Sequence, residues 1–382
     1  MDVEVLIWLI RFSLVSGILY MILIGLYTLG WYGLSRDEQQ NETETSAEQV
    51  SVVVAFRNEE QHLESLLNHL SDQDFDQDKT EIILIDDHSD DSSAEIVKRF
   101  IHHNPKLNIR LLHSDAQGKK EALKKGIHGA RYSLLLFTDA DCKPGRHWIS
   151  TMVSHMSKHD HVMAIGPVML EPVSGHFGRM QGLEYLSLMA STAGSAGLGI
   201  PAMSNGANVV VRREALDKTG IDSLREDIAS GDDVFMMFAL IKAFGRRSVS
   251  FVRQEKAIMP TPATENRNAF FRQRSRWVSK SRAYADPLII IPALIVGFFN
   301  IFLAIILPLA LFYPALTAVY LLLMLLKTMT DYPLLLAGAR FIGRTQWLWY
   351  VVPVQLVYPF YVLVSVFIGL FLPVRWKGRT LG

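Results

Sequence analysis

Cysteine is nearly absent from this chain, since Cys142 is the only one among 382 residues. A single cysteine excludes an internal disulfide, which fits a domain on the reducing side of a membrane. Net charge is absent too, because 38 basic side chains balance 38 acidic ones. A chain without excess positive charge does not have the composition of a general nucleic-acid binder, so we expect no nucleic-acid partner.

The glycine-rich motifs that bind phosphate are also missing. The segment AFRNEEQH, which follows the first predicted strand, does not contain the glycines of a GxGxxG turn, and no Walker A sequence is present. The twelve histidines show no HExxH or comparable zinc-binding spacing. A phosphate ligand would therefore need another means of binding, and the chain offers carboxylates that could hold a divalent cation.

Apolar residues are unevenly distributed along the chain. Residues 5–33 form an apolar run that only Arg11 interrupts. This run is longer than the roughly 20 residues that span a bilayer, and it lacks the small-residue cleavage pattern of a signal peptide. We therefore interpret residues 1–35 as a retained N-terminal transmembrane anchor and residues 36–47 as a polar linker.

Three further apolar runs follow Asp286 and predict about three transmembrane segments over residues 287–374, before a basic tail at 375–382. Positive charge at Arg36 and in the loop GARFIGR indicates that the middle of the chain is cytoplasmic, at a plasma or inner membrane. Three complete spans would then place the basic tail outside. Either the tail is an exception to the positive-inside rule, or the last segment is re-entrant or interfacial.

Two charged residues lie within the second of these C-terminal runs. Lys327 and Asp331 are four residues apart and therefore share one face of a helix. Charges inside a membrane segment indicate either a functional site or a mutual ion pair. The sequence leaves both interpretations open.

Between residues 48 and 270 the pattern changes to short strands that alternate with helical segments. The β-branched run VSVVVAF is the first of four predicted strands, and segments with helical periodicity separate them. This alternation predicts an α/β fold with a mostly parallel sheet, whose ligands bind at the carboxyl ends of the strands. The polar clusters FRNEE, DDHSDD and DADC all follow predicted strands, so we expect them at that edge.

The cluster DADC contains two carboxylates, Asp139 and Asp141, directly after the apolar run SLLLF. In an extended segment, residues two apart point to the same side, so both carboxylates could approach one ligand. A hard divalent cation that carries a phosphate group would suit such a pair. A solvated turn after a strand is the alternative.

Taken together, the motifs resemble the membrane-embedded family 2 glycosyltransferases, a group that includes polysaccharide synthases and lipid glucosyltransferases. The resemblance covers residues 50–285 and is carried, in the family's order, by AFRNEE, IDDHSDDSS, GKKEALKKGI, TDADC, NGANVVVRREAL, SGDDVFM and FRQRSRW. It implies a cytoplasmic GT-A-type domain over residues 48–270, flanked by transmembrane helices. It also implies a nucleotide-sugar donor, Mg²⁺ or Mn²⁺ as cofactor, and inversion at the anomeric carbon.

The resemblance also implies roles for individual residues of the donor site. Asp141, together with Asp139, would hold the metal ion, and Lys119 would lie near the diphosphate. Asp86 and Asp87 would contact the nucleotide or its ribose. The nucleotide-sugar site as a whole would comprise Ala55, Arg57, Glu59, Asp86, Asp87, Lys119 and Asp139.

An inverting transfer needs a base that removes the proton from the acceptor hydroxyl. By the resemblance, Asp233 is this base, in a motif written here as Gly231, Asp232 and Asp233. Asp232 would then lie near the acceptor or the diphosphate. An alternative alignment would use Glu226 and Asp227, and simple capping of the following helix is a further alternative.

The segment at residues 271–286 fits the QxxRW signature with Gln273, Arg276 and Trp277, and we predict that it lies at the membrane interface. Guanidinium groups bind phosphate in a forked geometry, and an indole offers a flat apolar surface to a sugar or lipid. These residues and Asn208 would contact the acceptor or the diphosphate. A basic helix attracted to anionic lipid is the alternative.

The resulting hypothesis is an integral membrane glycosyltransferase that inverts the anomeric centre and uses a nucleotide-sugar, with UDP-sugar expected. Its acceptor would be a growing β-linked polysaccharide, and the alternative is the transfer of one sugar to a ceramide-like or diacylglycerol-like lipid in the bilayer. A sugar-nucleotide sensor without catalysis is a less favoured hypothesis, because the candidate base and metal pair are both present. A transporter is less favoured still, because it would not need these carboxylates.

Overall fold

The structure is a computed structural model that describes residues 2–34, 48–171, 175–220, 232–279, 284, 286–371, 374–376 and 379–381. The predicted linker at 36–47 and the alternative base residues Glu226 and Asp227 lie outside these residues. The chain divides into two compact units. The sheet unit contains Leu34–Glu171 and Gly199–Pro262, and the helical unit contains Met1–Gly33, Pro172–Leu198 and Ala263–Leu381.

The described residues form the four predicted strands and seven further strands that were not predicted. They are β1 (Val50–Phe56), β2 (Thr80–Asp86), β3 (Ile109–His113), β4 (Leu134–Phe137), β5 (Met163–Ile165), β6 (Val168–Leu170), β7 (Val209–Arg212), β8 (Val249–Phe251), β9 (Met259–Thr261), β10 (Val374–Trp376) and β11 (Arg379–Leu381). The first four lie where the four strands were predicted, although β4 ends at Phe137 and does not include Asp139. Local β-branched sequence was therefore a sufficient signal for this half of the sheet.

The helices of the described chain alternate with the strands in the middle of the chain, and four consecutive helices follow β9. The helices are α1 (Val3–Gly33), α2 (Leu63–Ser71), α3 (Ser93–His103), α4 (Lys119–Gly129), α5 (Trp148–Lys158), α6 (Gly175–Gly197), α7 (Arg213–Thr219), α8 (Asp232–Phe244), α9 (Arg267–Ser279), α10 (Pro287–Ala310), α11 (Pro314–Phe341) and α12 (Val351–Phe371). In α2 the leucines at 63, 66, 67 and 70 are buried. Their spacing places them on one face of the helix, which explains why this segment folds as an amphipathic helix.

The sheet unit is built on one seven-stranded sheet with the order β3-β2-β1-β4-β7-β5-β8. Strands β1 to β4 are mutually parallel where they pair, and β7 runs antiparallel to both of its neighbours. Every residue of β1 is buried, which explains its continuous apolar sequence, because a central strand of a parallel sheet is covered on both faces. The predicted α/β fold with a mostly parallel sheet is confirmed.

Among the residues that the structure describes, four helices are long and apolar enough to cross a membrane, and all four lie in the helical unit: Val3–Gly33, Pro287–Ala310, Pro314–Phe341 and Thr345–Gly369. This agrees with the prediction of one N-terminal and three C-terminal segments. The first residues of the last segment, Thr345–Tyr350, form a 3₁₀ turn before α12. Residues 374–376 and 379–381, which were expected to be the end of a span and a basic tail, pair as the antiparallel strands β10 and β11.

Helix α6 was not predicted, and it belongs to the helical unit although it lies inside the expected 48–270 domain. It packs against α1 where two glycines meet. A Cβ atom on Gly30 would lie 2.0 Å from the carbonyl oxygen of Gly194, and one on Gly194 would lie 2.3 Å from that of Tyr27. The two backbones can approach this closely only because these positions lack side chains. The interval 48–270 is therefore not one continuous compact unit.

The charged residues Lys327 and Asp331 form an ion pair inside the helical unit, where both are buried. Tyr20 donates a hydrogen bond to Asp331 (2.8 Å) and accepts one from Lys327 (3.0 Å). The side-chain amide of Gln355 donates to Asp331 at 3.1 Å. The ion-pair interpretation of these two charges is thus confirmed, with α1 and α12 supplying further hydrogen-bond partners.

Candidate active site

The candidate donor site lies where β1, β2 and β4 end. Each of these parallel strands is followed by a polar segment, and the carboxyl ends of parallel strands share one edge of the sheet. The segments begin at Arg57 after β1, at Asp87 after β2 and at Thr138 after β4. The sheet therefore brings together three polar clusters that are far apart in sequence, as predicted.

Arg57 joins the segment after β1 to the segment after β2. Its Nη1 donates to the carbonyl oxygens of Asp87 (2.9 Å) and His88 (2.8 Å), and its Nη2 pairs with the carboxylate of Asp90 at 3.1 Å. Asn58 and His88 adopt positive φ angles of 51° and 55°, which tighten the two turns. The guanidinium of Arg57 thus shapes the loops of the proposed nucleotide site.

Asp86 and Asp87 are both buried, and each accepts a backbone hydrogen bond. Asp86 accepts from the amide of Ser89 at 2.9 Å, and Asp87 accepts from the amide of Gly118 at 2.8 Å. The second bond fixes the start of α4 and therefore the position of Lys119, because Gly118 precedes it directly. Ala55 lies in β1, where it pairs with Ile85 of β2, the residue that precedes Asp86.

Two histidines that the sequence analysis left unassigned contact these aspartates. His88 Nδ1 lies 3.5 Å from a carboxylate oxygen of Asp87, and His113 Nδ1 lies 3.4 Å from one of Asp86. Both side chains are largely exposed. His88 is adjacent to the aspartates in sequence, but nothing in the sequence shows the contact of His113, since it depends on the pairing of β2 with β3.

Asp139 and Asp141 do not lie in an extended segment, so the prediction that strand alternation directs both carboxylates to one side is wrong. Strand β4 ends at Phe137, and the amide of Cys142 donates to the carbonyl oxygen of Asp139 at 3.2 Å, so residues 139–142 form a turn. Alternation along a strand therefore does not explain why the two carboxylates are close. The turn itself folds them toward the same site.

The electrostatics of Asp141 show that negative charge is concentrated at this turn. Burial raises the pKa of Asp141 to about 6, and the negative charges of Asp139 and Glu59 add to the effect. Lys119 opposes it, and its Nζ lies 2.5 Å from a carboxylate oxygen of Asp139. Three predicted donor-site carboxylates and one predicted lysine thus influence one another directly.

This arrangement fits a divalent cation whose ligands come partly from the protein carboxylates and partly from a substrate phosphate. Within the described ranges, no three His, Cys, Asp or Glu side chains are grouped as a complete metal site. Mg²⁺ and Mn²⁺ in nucleotide enzymes are commonly held by one or two carboxylates, while phosphate and water oxygens complete the shell. The mutual repulsion of Asp139, Asp141 and Glu59 is the kind of excess negative charge that such a cation would neutralise.

Asp233 lies in the first turn of α8 and contacts the loop that contains Asn205. Its Oδ2 accepts a hydrogen bond of 2.8 Å from the backbone amide of Gly206. A Cβ atom on Gly206 would lie 3.5 Å from the Cβ atom of Asp233, so the loop and the helix are in contact. The candidate base is thus held by a backbone group. Asp232 begins the same helix.

Asn208 has a different environment from the acceptor site in which it was expected. It is fully buried, and its side chain accepts a hydrogen bond from Trp148 Nε1 (2.9 Å) and donates to the carbonyl oxygens of Pro167 (2.9 Å) and Ala257 (2.8 Å). An amide offers two donors and an acceptor oxygen, and these bonds occupy both donors. The physical environment of Asn208 is that of a core residue that ties β7 to its surroundings.

The QxxRW residues lie on α9 in the helical unit, where Gln273, Arg276 and Trp277 are half-buried. Arg274, which follows Gln273 in the same helix, adds positive charge beyond the QxxRW signature, but it is only 3% exposed. Its carboxylate partner, Glu184, lies on the unpredicted helix α6. Nothing in the sequence indicates this partner, because the two residues are ninety positions apart.

Comparisons with known proteins agree with this geometry. Residues 51–220 match the sequence profile of Glycosyl transferase family 2. The chain is 32% identical over 108 residues to glycosyltransferase AglE of Haloferax volcanii, a match that covers 28% of this chain and 35% of that protein. It is 28% identical over 204 residues to poly-beta-1,6-N-acetyl-D-glucosamine synthase of Staphylococcus aureus, which covers 52% and 48%. The chain thus spans about a third to a half of the length of these relatives.

Among solved structures, the mannosyltransferase PcManGT from Pyrobaculum calidifontis, in complex with GDP-Man and Mn²⁺, is similar over almost the whole chain. The match has a TM-score of 0.60 and 16% sequence identity, and it covers 95% of this chain and 99% of that one. A likeness at this level of identity concerns the fold. It confirms the predicted GT-A-type architecture with flanking apolar helices.

Proposed function

We propose that this protein is a membrane glycosyltransferase, because residues 51–220 match the sequence profile of Glycosyl transferase family 2. It transfers a sugar, with inversion, from a nucleotide-sugar to a growing β-linked polysaccharide. The observation that carries the proposal is the meeting of Asp139, Asp141, Glu59 and Lys119 at the carboxyl edge of the sheet. This edge is where ligands bind in parallel α/β sheets.

In this proposal Asp139 and Asp141 hold Mg²⁺ or Mn²⁺, which neutralises the negative charge that develops on the diphosphate as it leaves. Lys119 lies beside Asp139 and contributes a positive charge to the same region. Ala55, near the end of β1, and Arg57 and Glu59, which follow β1, would contact the nucleotide. Asp86 and Asp87 face the nucleoside from the neighbouring strand.

Asp233 is the proposed general base. The Gly206 amide binds one of its carboxylate oxygens, which orients the group, and the other oxygen takes the proton of the acceptor hydroxyl. The acceptor oxygen then forms a bond to the anomeric carbon as the bond from that carbon to the diphosphate oxygen breaks. A single displacement of this kind inverts the anomeric configuration.

The acceptor end of the proposal rests on the helical unit. Four apolar helices fit a membrane protein, and we propose that the sheet unit faces the cytoplasm at a plasma or inner membrane. Gln273, Arg276 and Trp277 would contact the acceptor or the diphosphate. The second candidate is the transfer of one sugar to a membrane lipid, which the same apolar helices would also serve.

One experiment tests the activity and separates the two acceptors. Membranes that contain the full chain are incubated with radiolabelled UDP-sugars and GDP-mannose in the presence of Mn²⁺. Label in an alcohol-insoluble, glycosidase-sensitive product supports the polysaccharide, whereas label in an organic extract supports the lipid acceptor. No transfer from any donor, with folded protein present, would refute the proposal.

The matched variants are Asp233→Asn and Asp217→Asn, since both change an aspartate of the sheet unit and Asp217 is exposed on α7. Loss of a general base is expected to lower the transfer rate about 100- to 10,000-fold. The Asp217 variant should keep the wild-type rate. If Asp233→Asn kept its activity, the assignment of the base would be wrong, although the glycosyltransferase function would stand.

A further inference from the structure

The helical unit contains a buried ion pair between Arg274 of α9 and Glu184 of α6. Their side chains are 3% and 7% exposed. Arg274 Nε donates to both carboxylate oxygens, at 3.0 and 3.2 Å, and Nη2 donates to Oε2 at 2.5 Å. Tyr361 of α12 donates a hydrogen bond of 3.0 Å to the same carboxylate. Three helices thus meet at Glu184.

The same guanidinium contacts the first and the last side chain of the QxxRW signature. Its Nη1 donates to Gln273 Oε1 at 2.5 Å. Its Cζ lies 4.1 Å from the centre of the Trp277 ring, a distance at which a cation and an indole attract each other strongly. Phe270 lies near the guanidinium as well, with its ring centre 4.6 Å from Cζ. The guanidinium of Arg274 is therefore close to two aromatic rings while it is paired with Glu184.

Helical spacing explains why Arg274 lies beside Trp277, and Glu184 explains why the buried guanidinium stays charged. Residues three apart on a helix are neighbours, which places Arg274 beside Trp277. Burial alone would lower the pKa of Arg274, but the facing Glu184 outweighs this and raises the pKa, so the guanidinium stays charged. A lysine could not reproduce the forked bonds and the stacking, because its charge is a compact ammonium group.

We propose that Arg274 and Glu184 are positioning residues that hold Gln273 and Trp277 in the orientation needed for transfer. The inference rests on the proposed function, since it assigns the two residues a task in the same acceptor region. Glu184 binds the guanidinium, and the guanidinium holds the amide of Gln273 and the indole of Trp277. Neither Arg274 nor Glu184 needs to touch the substrate.

The first readout does not require activity. The emission of Trp277 is obtained as the difference between each protein and its Trp277→Phe counterpart, and its quenching by acrylamide is measured. Arg274→Lys and Glu184→Gln should both increase the quenching of Trp277, because the indole loses its fixed partner. Arg272→Lys, a change at an exposed position of the same helix, should leave it unchanged.

The second readout is a double-mutant cycle on the transfer rate. We expect Arg274→Lys to lower the rate about 10- to 100-fold, as misplacement of a contact group does. In the Trp277→Phe background the same change should cost less than about threefold, because the group that Arg274 holds is already altered. A residue that only stabilises the fold would cost the same factor in both backgrounds.

These readouts separate the two proposals. Unchanged Trp277 quenching in both variants, or equal losses in the two backgrounds, would overturn the positioning role. Changed quenching without transfer by the wild-type protein would keep the contact but refute the proposed function. If Arg274→Lys does not fold, Tyr361→Phe removes only one hydrogen bond to Glu184. It should shift the quenching and the rate in the same direction by a smaller factor, and no shift would count against the proposal.

Discussion

Replacement of Asn208 distinguishes a core residue from an acceptor ligand. The change Asn208→Ala removes three side-chain hydrogen bonds, to Trp148, Pro167 and Ala257, at a position with no solvent exposure. Water cannot replace the lost bonds at a fully buried site without a rearrangement of the core. The prediction is therefore a large loss of stability in the sheet unit.

The magnitude follows from the number of groups left without a partner. A buried donor or acceptor that loses its hydrogen bond costs about 1–3 kcal/mol. Three such groups predict a loss of at least about 3 kcal/mol before the cavity is considered. For a domain of roughly 200 residues, each kcal/mol shifts the unfolding midpoint by about 2–4 °C, so we expect a fall of about 6–12 °C.

The assay is thermal unfolding of the purified full chain in detergent. The fraction of folded protein is monitored by fluorescence, and the unfolding midpoint is compared between variants. Asn205→Ala is the control, because Asn205 belongs to the same loop, is half-buried and accepts a bond of 3.2 Å from the nearby amide of Ala207. We expect a much smaller shift for the control. If Asn208→Ala kept the wild-type midpoint and raised only the KM for the acceptor, the assignment to the core would be wrong.

Three other parts of the molecule allow further predictions. Because the pKa of Asp141 is raised to about 6, Mn²⁺ must displace its proton below that pH, so affinity measured by calorimetry should rise about fivefold from pH 5 to pH 6 and level off above pH 7. In the metal-free protein the raised pKa of Asp141 contributes stability that is present below about pH 4 and is lost as the pH rises through about 6; flat profiles would contradict both statements. Lys327→Met should lower the unfolding midpoint by the equivalent of about 3–5 kcal/mol, because Asp331 is left as a buried charge, and adding Asp331→Leu should restore most of it; an additive loss would refute the pairing. Gly30→Ala should prevent the close approach of α1 and α6, whereas Gly25→Ala, which meets no atom within 4 Å, should be tolerated in the same unfolding assay; equal effects would argue against that contact.

Much of the sheet unit was predictable because its signals are local. The run VSVVVAF became β1, as predicted, and one of the segments with helical periodicity between the strands became α2. Alternation of strands and helices was enough to infer a parallel sheet, and from it the edge at which Asp87 and Asp139 lie. The apolar runs were equally readable, since their length alone distinguishes them.

The predictions that changed depend on contacts between distant residues. Asn208 is a polar residue in a motif that suggests ligand binding. Its hydrogen-bond partners are 41 to 60 positions away, so its burial cannot be predicted from the adjacent sequence. Helix α6 lacks a strong amphipathic pattern because it is packed on several sides, with small residues against α1. Its place in the helical unit follows from that packing.

The sequence by itself therefore determined the α/β class, the apolar segments and the residues that gather at the strand ends, because backbone periodicity and hydropathy act over a few residues. Only the tertiary structure decided which polar side chains remain for a ligand and which the fold uses. Asn208 and Arg274 are held by buried partners within the protein, whereas burial and the neighbouring negative charges of Asp139 and Glu59 raise the pKa of Asp141 at the edge of the sheet. The physical reason is that a buried polar group must find a partner, and that partner is chosen by three-dimensional packing rather than by position in the chain.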